Sequence, residues 1–283
     1  MKLLLESFRT INRNLGMIWP PVVTAIGLFL LFLISVFLLV AGTGIFLSFE
    51  NFFSSGFDPG SFDFEAIFDE IGPGFLLILI PFLLLSALLV WVVTAFMSAG
   101  SYKLASDVLS GNKTYWGSFF KGGFRYLGWS LVFGIVTFVM TIPIKILNSI
   151  VTSFLPEDGA AVVTVTVLYV ILMIVIEYLL LLFYPALIDG KEKFGQALGT
   201  SFRLAWKAFL LTILPFIGLL ILGGIVIFAL IGIGYLTHPL VAVILGIPLI
   251  LYISPLGSVW MTLVYRKLTH REEPVIPETF EEF

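Results

Sequence analysis

The chain has no cysteine. Disulfides, thiolate nucleophiles, Cys-ligated zinc and iron–sulfur clusters are therefore excluded. Charge is scarce as well, at 12% of residues, and there are only 2 histidines. A soluble domain carries roughly 25% charged residues, because its surface must be wetted. Half that share means that much of this chain's surface faces lipid. Catalytic patterns are missing too. There is no His-Glu-x-x-His, no Gly-x-Ser-x-Gly and no pair of intramembrane aspartates, and a Ser or Thr hydroxyl without a base is not a nucleophile. The chain is read as non-enzymatic, with no metal and no cofactor.

What is present is apolar. Of 283 residues 59% are hydrophobic, and Phe (29) outnumbers Lys and Arg together (15). The mean hydropathy is +1.11. A helix needs about 20 mostly apolar residues to cross a hydrocarbon core of ~30 Å. Stretches that qualify lie at 17–47, 73–99, 126–149, 161–187, 209–234 and 239–265. The first is far longer than the ~7–15 apolar residues of a cleavable signal. The expected fold is thus an all-α integral membrane protein of about six transmembrane helices in three hairpins, one polytopic domain over 1–271.

The charges orient it. Lys2, Arg9 and Arg13 precede the first span, and Lys103, Lys113, Lys121 and Arg125 lie between the second and third. Lys191, Lys193, Arg203 and Lys207 lie between the fourth and fifth, and Arg266, Lys267 and Arg271 close the sixth. The alternate connections carry Glu50, Asp58, Asp63, Glu65, Asp69, Glu70, Glu157 and Asp158 and no basic residue. The positive-inside bias predicts a multi-pass protein of the plasma membrane with both termini cytoplasmic. In the acidic extracytoplasmic loop 50–72, Phe64, Ile67, Phe68 and Ile71 share one helical face. That loop lacks the ligand spacing of an EF-hand. The tail 272–283 is acidic and proline-bearing, the composition of a disordered cytoplasmic end.

Each basic connection also contains an amphipathic segment leading into an odd-numbered span. In 194–209, Phe194, Ala197, Leu198, Phe202, Ala205 and Phe209 recur at three- and four-residue steps, with Arg203 and Lys207 opposite. Segment 1–18 sets Phe8, Ile11, Leu15 and Ile18 against Arg9 and Arg13. Segment 116–125 sets Phe120 and Phe124 against Lys121 and Arg125. Such helices lie in the headgroup layer with their basic face toward anionic lipid. A string recurs with them, Ser7-Phe8-Arg9, Ser118-Phe119-Phe120-Lys121 and Ser201-Phe202-Arg203. Three copies of one unit, an interfacial helix and a hairpin, account for it; so does the ordinary composition of any cytoplasmic lead-in.

Pro185 and Asp189, then Ala197, Ser201 and Leu204, follow an aromatic at the end of the fourth span, and Pro248, Pro255 and Tyr265-Arg266-Lys267-Leu268 end the sixth. This order resembles the six-helix membrane domain attached to some bacterial glycerophosphodiester phosphodiesterases and its stand-alone relatives. The resemblance implies a six-helix accessory membrane module. No soluble phosphodiesterase domain follows in this sequence and no acidic and histidine metal constellation replaces it, so the activity is not carried over.

Ionisable groups inside a span cost ~2.5–3.5 kcal/mol on insertion scales and are functional candidates by default. Glu177 in the fourth span and Lys145 near the outer end of the third are the two here. At ~1.5 Å per residue their depths differ by on the order of 15–20 Å, which precludes a pair; Lys145 snorkels outward. Glu177 reads either as a ligand or proton site or as a structural hydrogen-bonding residue. Pro215, Pro248 and Pro255 are candidate helix breaks, which expose backbone to a ligand or merely kink a packed helix. The expected role is an accessory or scaffold protein with membrane lipids and other membrane proteins as partners, and no nucleic acid. The alternative is a small transporter or a carrier of lipid or another hydrophobic ligand using Glu177. Single cysteines at Ser55 and Gly195 in this cysteine-free chain should label from opposite sides of intact cells.

Overall fold

The computed structural model describes residues 2–43, 74–155, 159–236 and 255–269. The loop 50–72, the first part of the sixth span with Pro248, and the tail 272–283 lie outside the described residues. The described chain is almost wholly helical, with no strand among those residues. Its helices are α1 (Lys2–Arg13), α2 (Trp19–Thr43), α3 (Gly74–Leu109), α4 (Tyr115–Ser153), α5 (Ala160–Leu180), α6 (Phe183–Ile188), α7 (Phe194–Lys207), α8 (Phe209–Leu236) and α9 (255–268). Four stretches are long and apolar enough to cross a membrane: Ile80–Leu109, Tyr115–Ser153, Ala160–Ile188 and Thr212–Gly232. The protein is therefore a helical membrane protein.

The chain divides into two compact units, 23–93 and the remainder. The smaller unit holds most of α2 and the first part of α3, where Ser35 Oγ donates to the Leu31 carbonyl at 2.8 Å. Pro81 lies inside α3 without ending it. The larger unit carries the core. Ile11 of α1, Met17, Leu104, Ala105 and Val108 of α3, Phe119 of α4, and Leu256 and Val259 of α9 bury together. A second cluster joins Leu182, Phe183, Ala186 and Leu187 to Ala197 of α7 and to Trp260, Met261, Val264 and Tyr265 of α9. Away from these clusters many apolar side chains of α4, α5 and α8 are exposed, Phe138, Val163 and Phe228 among them. Such surfaces need an apolar solvent.

Local chemistry explains where helices stop. After α1 a single 3-10 turn, Leu15–Met17, redirects the chain into α2. Gly16 is needed there, since a Cβ would stand 2.5 Å from the Tyr115 ring. Asn14 fixes the turn, its Nδ2 donating to the Thr10 carbonyl (2.9 Å) and its Oδ1 accepting from the Tyr115 hydroxyl (3.1 Å). Between α3 and α4 a tight turn uses Gly111 at φ +83, and Asn112 Oδ1 accepts the Thr114 N–H at 3.0 Å.

Helix ends differ from those expected at 99, 126 and 187. α3 continues through Leu109 because 104–109 supply buried core side chains. The lead-in 116–125 is not a helix separate from its span; it is the first part of α4, which runs unbroken for 39 residues. The turn at Gly111 has already reversed the chain, and Gly122 lies so close to Lys103 that a Cβ would stand 2.2 Å from it. A straight helix serves this contact. The fourth span, expected to end at 187, runs over Ala160–Ile188 but is interrupted by a turn at 181–182. Ser201 of α7 holds the break, accepting from the Leu182 N–H (3.1 Å) and donating to the Leu179 carbonyl (2.8 Å). Only Ala208 separates α7 from α8, with φ −111 and ψ 37. There the buried Tyr178 hydroxyl donates to the Ala205 carbonyl at 2.7 Å and also meets Thr212 Oγ1. Tyr178→Phe should destabilise the protein by about 1 kcal/mol, read as a lower thermal midpoint in mild detergent.

Candidate functional site

The most polar buried point in the larger unit joins three helix ends. Arg266, in the last turn of α9, reaches Asp189, which follows α6. Its Nη2 donates to Oδ1 at 2.6 Å, and its Nε lies 3.2 Å from Oδ1 and 3.1 Å from Oδ2. Both side chains are less than a tenth exposed. α3 completes the shell: Nη2 also donates to the Ser106 carbonyl (3.1 Å) and to Ser110 Oγ (3.0 Å), while Ser106 Oγ donates to Asp189 Oδ1 (2.7 Å). The planar guanidinium suits this two-oxygen arrangement in a way that an ammonium would not.

The next residues reinforce the joint. Gly190 lies so close to Tyr265 that a Cβ would stand 2.4 Å from its hydroxyl. Lys191 takes φ 54, the left-handed region, and so turns the chain toward Glu192, whose Oε1 accepts from the Tyr265 hydroxyl at 3.1 Å. Along α3, Lys103 pairs with Asp107. Asp189, Arg266, Ser106 and Ser110 bond one another, and the site's chemistry is that of a clamp. Among the described residues no three His, Asp or Glu gather where they could hold a metal.

The sequence-predicted candidates sit elsewhere. Glu177 is exposed on α5. Its neighbour Tyr178 hydrogen-bonds Ala205, which places Glu177 level with the α7–α8 joint. Neither Glu177 nor Lys145 forms an ion pair among the described residues. Pro215 lies within α8, which continues past it. Pro255 is buried at the first described position of α9. Arg9, Arg13, Lys121, Arg125, Arg203 and Lys207 are all exposed. Large rings are exposed in the same segments: Trp19 (60%), Phe124 (70%) and Trp206 (81%). The serines of the recurring string, Ser7, Ser118 and Ser201, are all buried.

The Asp189–Arg266 pairing was not anticipated, although both residues stand in the segments that carry the family resemblance. One signal existed: an acid directly after Ala186-Leu187-Ile188, at the head of a connection that is basic on balance. Comparison with protein-family models, curated proteins and solved structures found no match.

Arg266→Met should cost about 3–5 kcal/mol, because it strands a buried carboxylate. Adding Asp189→Asn to that variant should recover part of the loss. Unfolding in detergent, followed by ellipticity, measures both.

Proposed function

We propose that this protein is a non-enzymatic multi-pass accessory or scaffold protein that gathers anionic lipids, and through them neighbouring membrane proteins, at the cytoplasmic face. One observation carries the reading: its predicted lipid-contact cations are all exposed beside exposed tryptophan and phenylalanine, whereas the polar groups at the helix ends are joined to one another. Arginine and lysine beside amphipathic rings are the composition of a headgroup-level collar. In this reading six spans form three hairpins with both termini cytoplasmic, and α1, α7 and the start of α4 lie at the inner interface. Threefold repetition agrees with the three buried serines. The likeness to phosphodiesterase-associated membrane domains agrees with the ion pair, which links the two segments that carry it.

The carrier alternative needs Glu177 beside a path for its cargo. An exposed Glu177 level with the α7–α8 joint favours the scaffold reading over it.

Each Lys or Arg near an anionic surface contributes ~1 kcal/mol, about fivefold in affinity. Arg203→Gln with Lys207→Gln should therefore reduce retention of phosphatidylglycerol relative to phosphatidylcholine more than tenfold. Native mass spectrometry from mixed-lipid nanodiscs measures this, and the selectivity should fall with salt. Glu177→Gln should leave it unchanged; loss of selectivity in that variant alone would favour the carrier.

A further inference from the structure

The turn between α3 and α4 leads into rings that the fold leaves uncovered. Trp116, Phe120 and Phe124 stand four residues apart on one face of α4, and all three are exposed. Trp116 stacks on Phe120, with centroids 6.0 Å apart and 13° between planes, and Phe120 on Phe124 at 6.5 Å and 25°. Phe96 of α3 supports this ladder, meeting Phe124 at 5.0 Å and Phe120 at 5.9 Å. Lys113 precedes the rings and Lys121 and Arg125 are interleaved with them, all three exposed. None of these cations forms an ion pair among the described residues.

Acyl chains are a poor cover for these rings. α4 runs unbroken for 39 residues, about 58 Å at ~1.5 Å per residue, against a hydrocarbon core of ~30 Å. With the apolar stretch 126–149 placed in the core, Trp116 stands about 15 Å outside it and Phe120 about 9 Å. Exposed apolar surface beyond the acyl chains marks a place where protein docks. The same face of a second copy does not suit it, because Lys113, Lys121 and Arg125 would then oppose their own kind. The surface calls for a segment that is both acidic and aromatic. The chain carries one and delivers it to this spot. Residues 272–283 hold five glutamates, no lysine or arginine, and both Phe280 and Phe283. They follow α9, whose Arg266 donates to Ser110 Oγ at 3.0 Å, beside the turn from which α4 departs. From Thr269 to Phe280 is eleven residues, a reach of up to about 36 Å. The ladder from Trp116 to Phe124 spans only about 12 Å.

We propose that residues 272–283 dock on the Trp116–Phe120–Phe124 face of α4 in the same chain, with Phe280 and Phe283 against the ladder and the glutamates facing Lys113, Lys121 and Arg125. Aromatic rings prefer edge-to-face or offset partners, and carboxylates strengthen hydrogen bonds to lysine and arginine. A bare anionic membrane surface would repel the same glutamates. Tethering raises the segment's local concentration to the order of millimolar, so a weak contact suffices. The segment thereby competes with anionic lipid for Lys121 and Arg125, and leaves Arg203 and Lys207 to the lipid. Docking requires only that the end of α9 and the start of α4 lie on one side of the membrane, which the Arg266–Ser110 bond fixes. Failure of the lipid collar and failure of this docking are therefore separate events.

The test uses the full chain in phosphatidylcholine nanodiscs, carrying the photo-reactive replacement Phe280→p-benzoylphenylalanine. Illumination should give an adduct within one chain, mapped by mass spectrometry to residues 116–125. Lys121→Glu with Arg125→Glu should lower its yield at least fivefold. Adding Glu278→Lys, Glu281→Lys and Glu282→Lys to that variant should restore it, because the charges are then exchanged. Rising salt should lower the yield in the unaltered pair. Arg203→Gln with Lys207→Gln should leave the adduct intact while lipid selectivity falls, which keeps the two proposals apart. Adducts confined to lipid, to another part of the chain or to a second copy overturn the docking. So does a yield indifferent to charge reversal. Should the reversed variant fail to fold, Lys121→Gln alone decides, with a yield at least halved as the expected result and an unchanged yield as the contrary one.

Discussion

The organisation of the larger unit depends on a buried ion pair that is supported by further hydrogen bonds. Asp189 and Arg266 come from segments far apart in sequence, and Nη2 of the guanidinium also donates to the Ser106 carbonyl and Ser110 hydroxyl of a third segment. Burying two charges is costly, and attraction repays it only when geometry is good and the leftover donors and acceptors are satisfied. Both conditions hold here. The pair therefore discriminates among arrangements, because these bonds form only when the ends of α3, α6 and α9 are brought together. Apolar packing alone is far less selective, because it tolerates sliding of one helix along another.

Around that point the chain uses side chains to repair what its helix breaks expose. A helix that stops inside apolar surroundings frees N–H and carbonyl groups which water cannot reach. Ser201 takes up both a freed N–H and a freed carbonyl at the break after α5, and Tyr178 with Thr212 donates to the freed carbonyls at the joint after α7. Both breaks are closed by a hydroxyl delivered from a neighbouring element. This economy explains how the chain can bend without proline at 181 or 208.

The sequence made much of this legible, for definable reasons. Long apolar runs lacking charge could only be membrane helices, and the four stretches found to be long and apolar enough fall among those expected. Helix ends were less legible. The signals sought were charge and amphipathicity, and these do not distinguish a lead-in continuous with its span, as in α4, from one that is separate, as in α7. The ion pair was invisible because Arg266 reads in sequence as one more inner-side cation and Asp189 as a loop acid; only tertiary proximity makes them a pair. Glu177 drew attention because a charge in an apolar run is rare. Sequence depth alone could not show that its helix ends three residues later, at Leu180.

The same ion pair has a consequence for synthesis. Asp189 leaves the ribosome 77 residues before Arg266 and 83 after Ser106. Membrane helices are delivered in order from the N-terminus, so the acceptor exists long before its cation. During that interval the carboxylate lacks the guanidinium that it meets in the folded chain. Closure waits for the final turn of α9. The clamp thus closes only after every segment that it joins has been made.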